Sequence, residues 1–268
     1  MKKVYDTINQ YCVEHDLLMN GDGIVIGLSG GMDSVCLLQV LAALRNEWQL
    51  RLVCVHVHHG IRGTAADEDA AFAQRLAAKY NISFRLYEMD IPQLAKEQGL
   101  SEEEAGRNYR YRCFEEVRKE LNFDKIAVAH HRDDQAETVL WQILRGSGLR
   151  GVCGMRAGRA NIIRPLLCLD RQQIEQIVRG NGDGWREDAT NREEKYTRNK
   201  IRNRVFPYIE QEIQPMARRH LVELAEDCQR AWDYIERQML EQYERLVYRD
   251  GDTFCFSRRM SHRRFCSW

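Results

Sequence analysis

From Ile24 onward the chain alternates two hydrophobic patterns. Short runs rich in Ile, Val and Leu occupy residues 24–28, 52–57, 82–87 and 126–129, with a fifth, weaker run at Ile162 and Ile163. Their length and their bounding polar segments read as strands. Between them, residues 35–44, 65–79, 102–121 and 135–144 repeat apolar positions at helical spacing. Ser101 and Glu104 stand at capping-box spacing before the third helix. Alternation of this kind predicts an α/β fold, a parallel five-stranded sheet with helices on both faces. Ligands of such sheets bind beyond the carboxyl ends of the strands.

The flanks differ. The first eighteen residues begin with lysines but lack the apolar core and small-residue cleavage site of a signal peptide. They read as an amphipathic helix with Val4, Ile8, Tyr11, Cys12 and Leu18 on one side. Residues 145–159 (RGSGLRGVCGMRAGR) are glycine-rich and basic, and read as a mobile loop or turn. Residues 181–194 form a second polar connection. From about Thr197 the pattern is helical again, and Leu221, Leu224, Cys228, Ala231, Ile235, Met239 and Leu246 mark a long amphipathic helix that suits pairing with a second copy. The end, residues 254–268, is basic and patternless. The expected division is a main domain over residues 1–210 and a helical C-terminal appendage with a basic tail over 211–268.

Composition narrows this picture. No apolar run is long enough to span a bilayer, which argues against a membrane partner. Nine cysteines are scattered without a C-x-x-C pair, and Cys36 and Cys54 lie inside apolar runs, where cysteine acts as a small hydrophobe. A reduced, cytoplasmic setting is the simpler reading. With 40 acids against 40 bases the formal net charge is zero. Only a local basic face would serve a nucleic acid.

The first candidate chemistry follows the first strand. Ser29, Gly30, Gly31, Met32, Asp33 and Ser34 connect it to a helix. A helix N-terminus presents unpaired N–H groups to anions, and the two glycines allow close approach of phosphate. Asp33 would repel a bare anion, a conflict that a bridging Mg²⁺ resolves. Neither the lysine of the ATP-binding P-loop nor the G-x-G-x-x-G of dinucleotide folds is present. A glycine-rich βα turn alone often binds nothing, but the whole S-G-G-x-D-S string in this context points to a nucleotide.

At these residues the chain resembles the PP-loop ATP pyrophosphatases, whose sheet is of the adenine nucleotide alpha hydrolase-like, Rossmann-like kind. Further motifs narrow the resemblance to the tRNA(Ile)-lysidine synthase family: HVHHGIR at 56–62, GRNYRY at 106–111, HHRDDQAET at 130–138, RGSGLRGVCGM at 145–155, RPLL at 164–167, WREDATN at 185–191 and YTRNKIRNRVFP at 196–207. They cover about residues 20–210. One departure is His58, where the family carries Asp.

The resemblance implies ATP and Mg²⁺ as cofactors, and free lysine and the CAU-anticodon isoleucine tRNA as partners. ATP would adenylate O2 of the wobble cytidine, and the lysine amine would then attack C2. Asp33, Asp134 and Arg198 would be catalytic. Residues 29–34 would hold ATP, with backbone groups near Val57 holding adenine and Asp33 touching the metal. His130, Asp134 and Glu137 would bind lysine; the two acids share a helical face at i, i+3 spacing. Asp133 or Asp134 could equally cap that helix. Arg62, Arg107, Arg110, Arg145 and Arg202 would contact RNA or phosphate, although surface arginines more often form ordinary ion pairs. Trp185 could stack on a base but reads more readily as core. The histidines at 56, 58, 59, 130 and 131 lack the partners of a zinc site. Two alternatives remain: a PP-loop tRNA 2-thiolation enzyme, and an RNA-binding relative without turnover.

Overall fold

The computed structural model describes residues 2–58, 64–186, 197–250 and 253–256. Strands β1 (Gly23–Gly27), β2 (Arg51–His58), β3 (Ser83–Glu88), β4 (Lys125–Ala127), β5 (Gly158–Arg159) and β6 (Ile162–Ile163) form one sheet in the order β3-β2-β1-β4-β6-β5. The first five in that order run parallel. The sheet therefore has six strands where five were expected. The sixth is β5, which folds back antiparallel on β6 through Ala160 and Asn161. Two residues are too few to show a period, so this strand left no trace in the hydrophobic pattern.

Helices α1 (Lys2–Glu14), α2 (Met32–Leu44), α3 (Thr64–Lys79) and α8 (Arg171–Gly180) cover one face, packing Ile8, Leu37, Leu41, Ala77 and Ile174 against Ile24 and Ile26. Helix α5 (Glu102–Glu120) covers the other, with Phe114 and Val117 on Val25, Val53 and Val55. Burial on both faces explains why β1 reads as continuous apolar sequence rather than alternation. Close packing also fixes Gly27: a Cβ there would meet the Phe114 ring at 2.7 Å.

Three described α-helices escaped the sequence pattern. Helix α4 (Ile91–Gln98) is capped by Asp90, which accepts from Gln93 N–H at 3.0 Å, and is ended by Gly99 at φ 65°. Helix α8 opens with a capping box between Asp170 and Gln173. Residues 145–159 contain a short helix, α7 (Leu149–Val152), and are held in place as described below.

Helix α6 (Arg132–Leu144) follows β4. Downstream, α9 (Thr197–Lys200), a π-helical turn (Ile201–Val205) and α10 (Phe206–Glu212) form one continuous rod. The long helix α11 (Ala217–Leu246) buries Ala217, Val222 and Ala225. Val222 joins Ile201, Phe206 and Ala136 in a small core beside α6. A hairpin of β7 (Val247–Asp250) and β8 (Thr253–Phe256) follows, and its second strand takes in the first residues of the segment expected to be patternless. Among the described residues no helix is long and apolar enough to cross a membrane.

Candidate active site

Two strand–helix junctions lie side by side at the carboxyl edge of the sheet, because β1 and β4 are hydrogen-bonded neighbours. The first is the 29–34 loop between β1 and α2. Gly30 adopts φ 88°, a left-handed conformation that glycine tolerates best. Ser34 is buried and braces the turn: its Oγ accepts from the N–H groups of Ser29 (3.2 Å) and Gly30 (3.1 Å) and donates to the Gly31 carbonyl (2.8 Å). In this structure its hydroxyl proton is thus spent on loop geometry. Ser29 Oγ accepts from Gly31 N–H at 3.4 Å. Met32 and Asp33 open α2, whose first-turn N–H groups have no partner within the helix. From above, Arg186 donates its N–H to the Gly30 carbonyl at 2.9 Å, while its guanidinium is held by Asp69 and Glu68.

The second junction carries the acids. His131 caps α6, and Asp134 completes a capping box by accepting from His131 N–H at 3.0 Å. Capping and charge placement are therefore not alternatives for Asp134. Its Oδ1 accepts from Arg198 Nη2 (2.9 Å) and Arg202 Nη2 (2.8 Å). Glu137, 1% exposed, accepts from Arg198 Nε (2.9 Å) and Arg202 Nε (2.6 Å), and Arg218 of α11 reaches it at 3.9 Å. Both carboxylates face the π turn, which brings Arg202 to the same acids as Arg198. Burial alone would raise the Asp134 pKa, but its interactions with His131, Arg198, His130 and Arg202 outweigh it and hold the group at about 2. Burial favours neutral Arg202, yet its hydrogen bonds and attraction to Glu137 win and raise its pKa.

His131 joins the two junctions. Its Nδ1 accepts from Asp133 N–H at 3.2 Å, which leaves the proton of the neutral ring on Nε2. That nitrogen is buried, 3.7 Å from Asp33 Oδ2 and 3.5 Å from Asp134 Oδ2, too far to hydrogen-bond but close enough to feel both charges. Burial raises the Asp33 pKa; His131 opposes this and Asp134 adds to it. Asp33 Oδ1 is buried without a partner. An acceptor oxygen in that state fits a cation arriving with phosphates, since Mg²⁺ takes one or two carboxylates and leaves the rest of its shell to phosphate and water. Among the described residues no group of three or more His, Cys, Asp or Glu could hold a metal alone.

His130 lies three residues beyond β4, in the segment that leads into α6. Burial lowers its pKa to about 4, Arg164, Arg198 and Arg107 adding to the effect against Asp134, and its Nδ1 is buried without a partner. It is neutral at pH 7. Arg107 and Arg110 lie in the first part of α5; Arg107 bears electrostatically on His130 and Arg110 on His56. His56 is buried and donates Nδ1–H to the Leu28 carbonyl at 2.8 Å, a structural tie between β2 and the loop. Val57 is half-buried at the end of β2, with its side chain among the α5-facing residues. Arg145 stands apart at the far end of α6, about 16 Å along the helix from Asp134, with its guanidinium over Trp141. Arg62 lies outside the described residues, as do residues 187–196. Trp185 is packed against the core beneath Arg179, in keeping with a core role.

Sequence reasoning passed over several residues. Gln135 grips the glycine-rich segment at both backbone groups of one residue: its Nε2 donates to the Met155 carbonyl (2.9 Å) and its Oε1 accepts from Met155 N–H (2.7 Å). Gly154, at φ 62°, has no room for a Cβ, which would meet Gln135 Oε1 at 2.6 Å. The segment expected to be mobile is thereby tied to the acid-bearing helix. Arg218, Arg186 and the bridging place of His131 depend on contacts far apart in sequence and had no local signal.

Comparison with known proteins agrees with this arrangement. A tRNA(Ile)-lysidine synthase from Caldanaerobacter subterraneus subsp. tengcongensis is 43% identical over 257 residues, covering 94% of this chain and 53% of that protein. One from Clostridium perfringens is 39% identical over 251 residues, covering 93% and 53%. The chain spans about half the length of the curated relatives it matches. Among solved structures, the U34-tRNA thiolase of Methanococcus maripaludis with its [4Fe-4S] cluster superposes with a TM-score of 0.67 at 18% identity, covering 84% of this chain and 77% of that one, a likeness of fold. A PP-loop domain model matches residues 2–209, most of the chain, and with the loop geometry described above this places it plainly: the chain belongs to the PP-loop family.

Proposed function

We propose that this protein joins free lysine to C2 of the wobble cytidine in the CAU-anticodon isoleucine tRNA, using ATP to adenylate the base and releasing AMP and pyrophosphate. The observation that carries the reading is His131, whose buried Nε2 lies within 4 Å of both Asp33 and Asp134. A nucleotide-activating loop and a second polar site so close together suit a reaction in which an adenylated intermediate is attacked without leaving. The names of relatives about 40% identical over nearly the whole chain support the same chemistry.

In this reading, residues 29–34 and the first turn of α2 bind the phosphates of ATP through backbone N–H groups. Asp33 offers its unpartnered oxygen to a Mg²⁺ held jointly with those phosphates. When bound, the ion supplies charge neutralisation at the phosphates and the leaving pyrophosphate. Arg198 and Arg202 keep Asp134 ionised beside the reacting centre.

Attack requires a neutral amine. With its pKa near 2, Asp134 is a poor base and acts as a fixed counter-charge that positions the lysine. Arg198 and Arg202 neutralise Asp134 and Glu137, so the acids exert no net negative charge that would hold the ammonium protonated. Neutral His130, with its unpartnered Nδ1, offers a hydrogen bond to the substrate. A reaction on ATP, together with described cysteines that are all unpaired, suits the reducing cytoplasm. The 2-thiolation alternative has no C-x-x-C pair to carry sulfur or a cluster.

The test is direct. Protein, ATP, labelled lysine and the CAU-anticodon tRNA are incubated together, and label is expected in the RNA, dependent on ATP. RNA that stays unlabelled although bound would remove the ligase reading.

A further inference from the structure

A buried cation outside the paired cluster stands apart from the machinery above. Arg164 directly follows β6, next to Val128, which directly follows β4 and whose N–H donates to the Ile163 carbonyl at 3.1 Å. It is 8% exposed. One nitrogen, Nη1, donates to the Arg156 carbonyl at 2.9 Å, but Nε is buried with no partner. Two residues beyond Val128, His130 Nδ1 is also buried and unpartnered. Two orphaned polar atoms on the segments leaving two neighbouring strands call for a ligand, because buried polar groups are almost always satisfied and an unpaired buried charge is costly.

The surroundings specify its sign. Burial pushes the Arg164 pKa down, and the guanidiniums of Arg107 and Arg159 push it further; the phenols of Tyr111 and Tyr11 offset them only on ionising. Arg107 and Arg159 are exposed, and Arg107 lies over the Tyr111 ring at 5.6 Å. The guanidiniums thus grade from the surface inward. One amino-acid carboxylate would need a single arginine. A polynucleotide needs several along its backbone and one where a nucleotide turns inward for chemistry on its base.

We infer that Arg164 forms the floor of an anion site for a phosphate of the RNA strand, at the nucleotide turned inward, with Arg107 and Arg159 at its mouth. The inference rests on the proposed function for the identity of the polymer. The planar fork of arginine suits a phosphate oxygen pair, and the neighbouring His130 sets the nucleotide beside Asp134 and the phosphate loop.

The test uses cytidine 5′-monophosphate and cytidine as probes of the whole chain, with a nonhydrolysable ATP analogue saturating the 29–34 loop. The native protein is expected to bind the monophosphate at least tenfold more tightly than the nucleoside. Arg164→Met should bring that ratio close to one, and Arg164→Lys should restore part of it. The thermal midpoint of free Arg164→Met should be unchanged or raised, because an unpaired buried charge has gone. A ratio unaffected by Arg164→Met would overturn the inference, as would a native protein with no preference. Weakened lysine binding with the ratio intact would overturn it too, and would assign the site to the amino-acid carboxylate. None of these readouts needs turnover, so failure of lysine incorporation would sink the proposed function while leaving the anion site standing.

Discussion

The two junctions at the carboxyl edge solve the same problem by opposite means. After β1, the chain makes a polar site from its own backbone: glycines 30 and 31, a bracing Ser34 and a helix N-terminus, with Asp33 as the one acid. After β4, it makes a site from side chains, setting Asp134 and Glu137 on a capped helix and pairing them with arginines more than sixty residues away. The first is local and leaves a carboxylate oxygen unpartnered. The second is assembled by the fold and is internally neutralised. A ligand can enter the first at little structural cost, whereas the second is part of the protein's stability.

The largest expected effect follows from that difference. Arg202→Met strips two hydrogen bonds from Glu137 and one from Asp134. Breaking a buried pair from one side costs about 3–5 kcal/mol, and urea unfolding should register it together with loss of lysine incorporation. An unchanged midpoint would erase the contrast between the junctions.

Asp33→Asn should behave in the opposite way. Burial already disfavours its charge, so the unfolding midpoint should hold or rise, while incorporation at saturating ATP falls on the order of 10²–10³-fold. Third, Ser34→Ala leaves buried loop N–H groups unsatisfied, a loss of about 1–3 kcal/mol, and should raise the KM for ATP more than that for lysine.

The smallest effect at neutral pH is a titration. His130 has its pKa lowered from 6.5 to about 4, so its neutral form favours the fold. Its contribution is fully present above pH 6.5 and is lost as pH falls from there toward 4. Stability measured across that window should flatten in His130→Gln. An unchanged slope would show that the histidine titrates alike in the folded and unfolded chain.

The same contrast explains what the sequence revealed. The core strands and the helices flanking the 29–34 string were legible because their signals are local: runs of buried Ile and Val, then glycines before an apolar helix. The i, i+3 spacing of Asp134 and Glu137 was legible too. The i, i+4 spacing likewise puts Arg198 and Arg202 on one helical face, but that this face closes on Asp134 and Glu137 was not legible, because it depends on the packing of segments more than sixty residues apart. Helices α4 and α8 were readable in principle from Asp90 with Gly99 and from Asp170 with Gln173, since caps mark ends even where the apolar period is too short to count. Arg164 shows the remaining gap. Nothing in RPLL announces a buried guanidinium with a vacant nitrogen; only the neighbouring strand and the packing around β6 reveal it.

The π turn has a consequence for how this chain tolerates changes in length. Within it, Phe206 N–H bonds to the carbonyl five residues back, at Ile201, so the rod holds one residue more than an α-helix of the same rise. Removing a single residue between 201 and 205 would restore ordinary pitch and leave the helical phase downstream nearly unchanged, because the wide turn had absorbed the extra residue. Phe206 would keep its small core and Arg218 its approach to Glu137. The same deletion in the regular turns of α11 upstream of a packed residue would instead act as a phase error of about 100°.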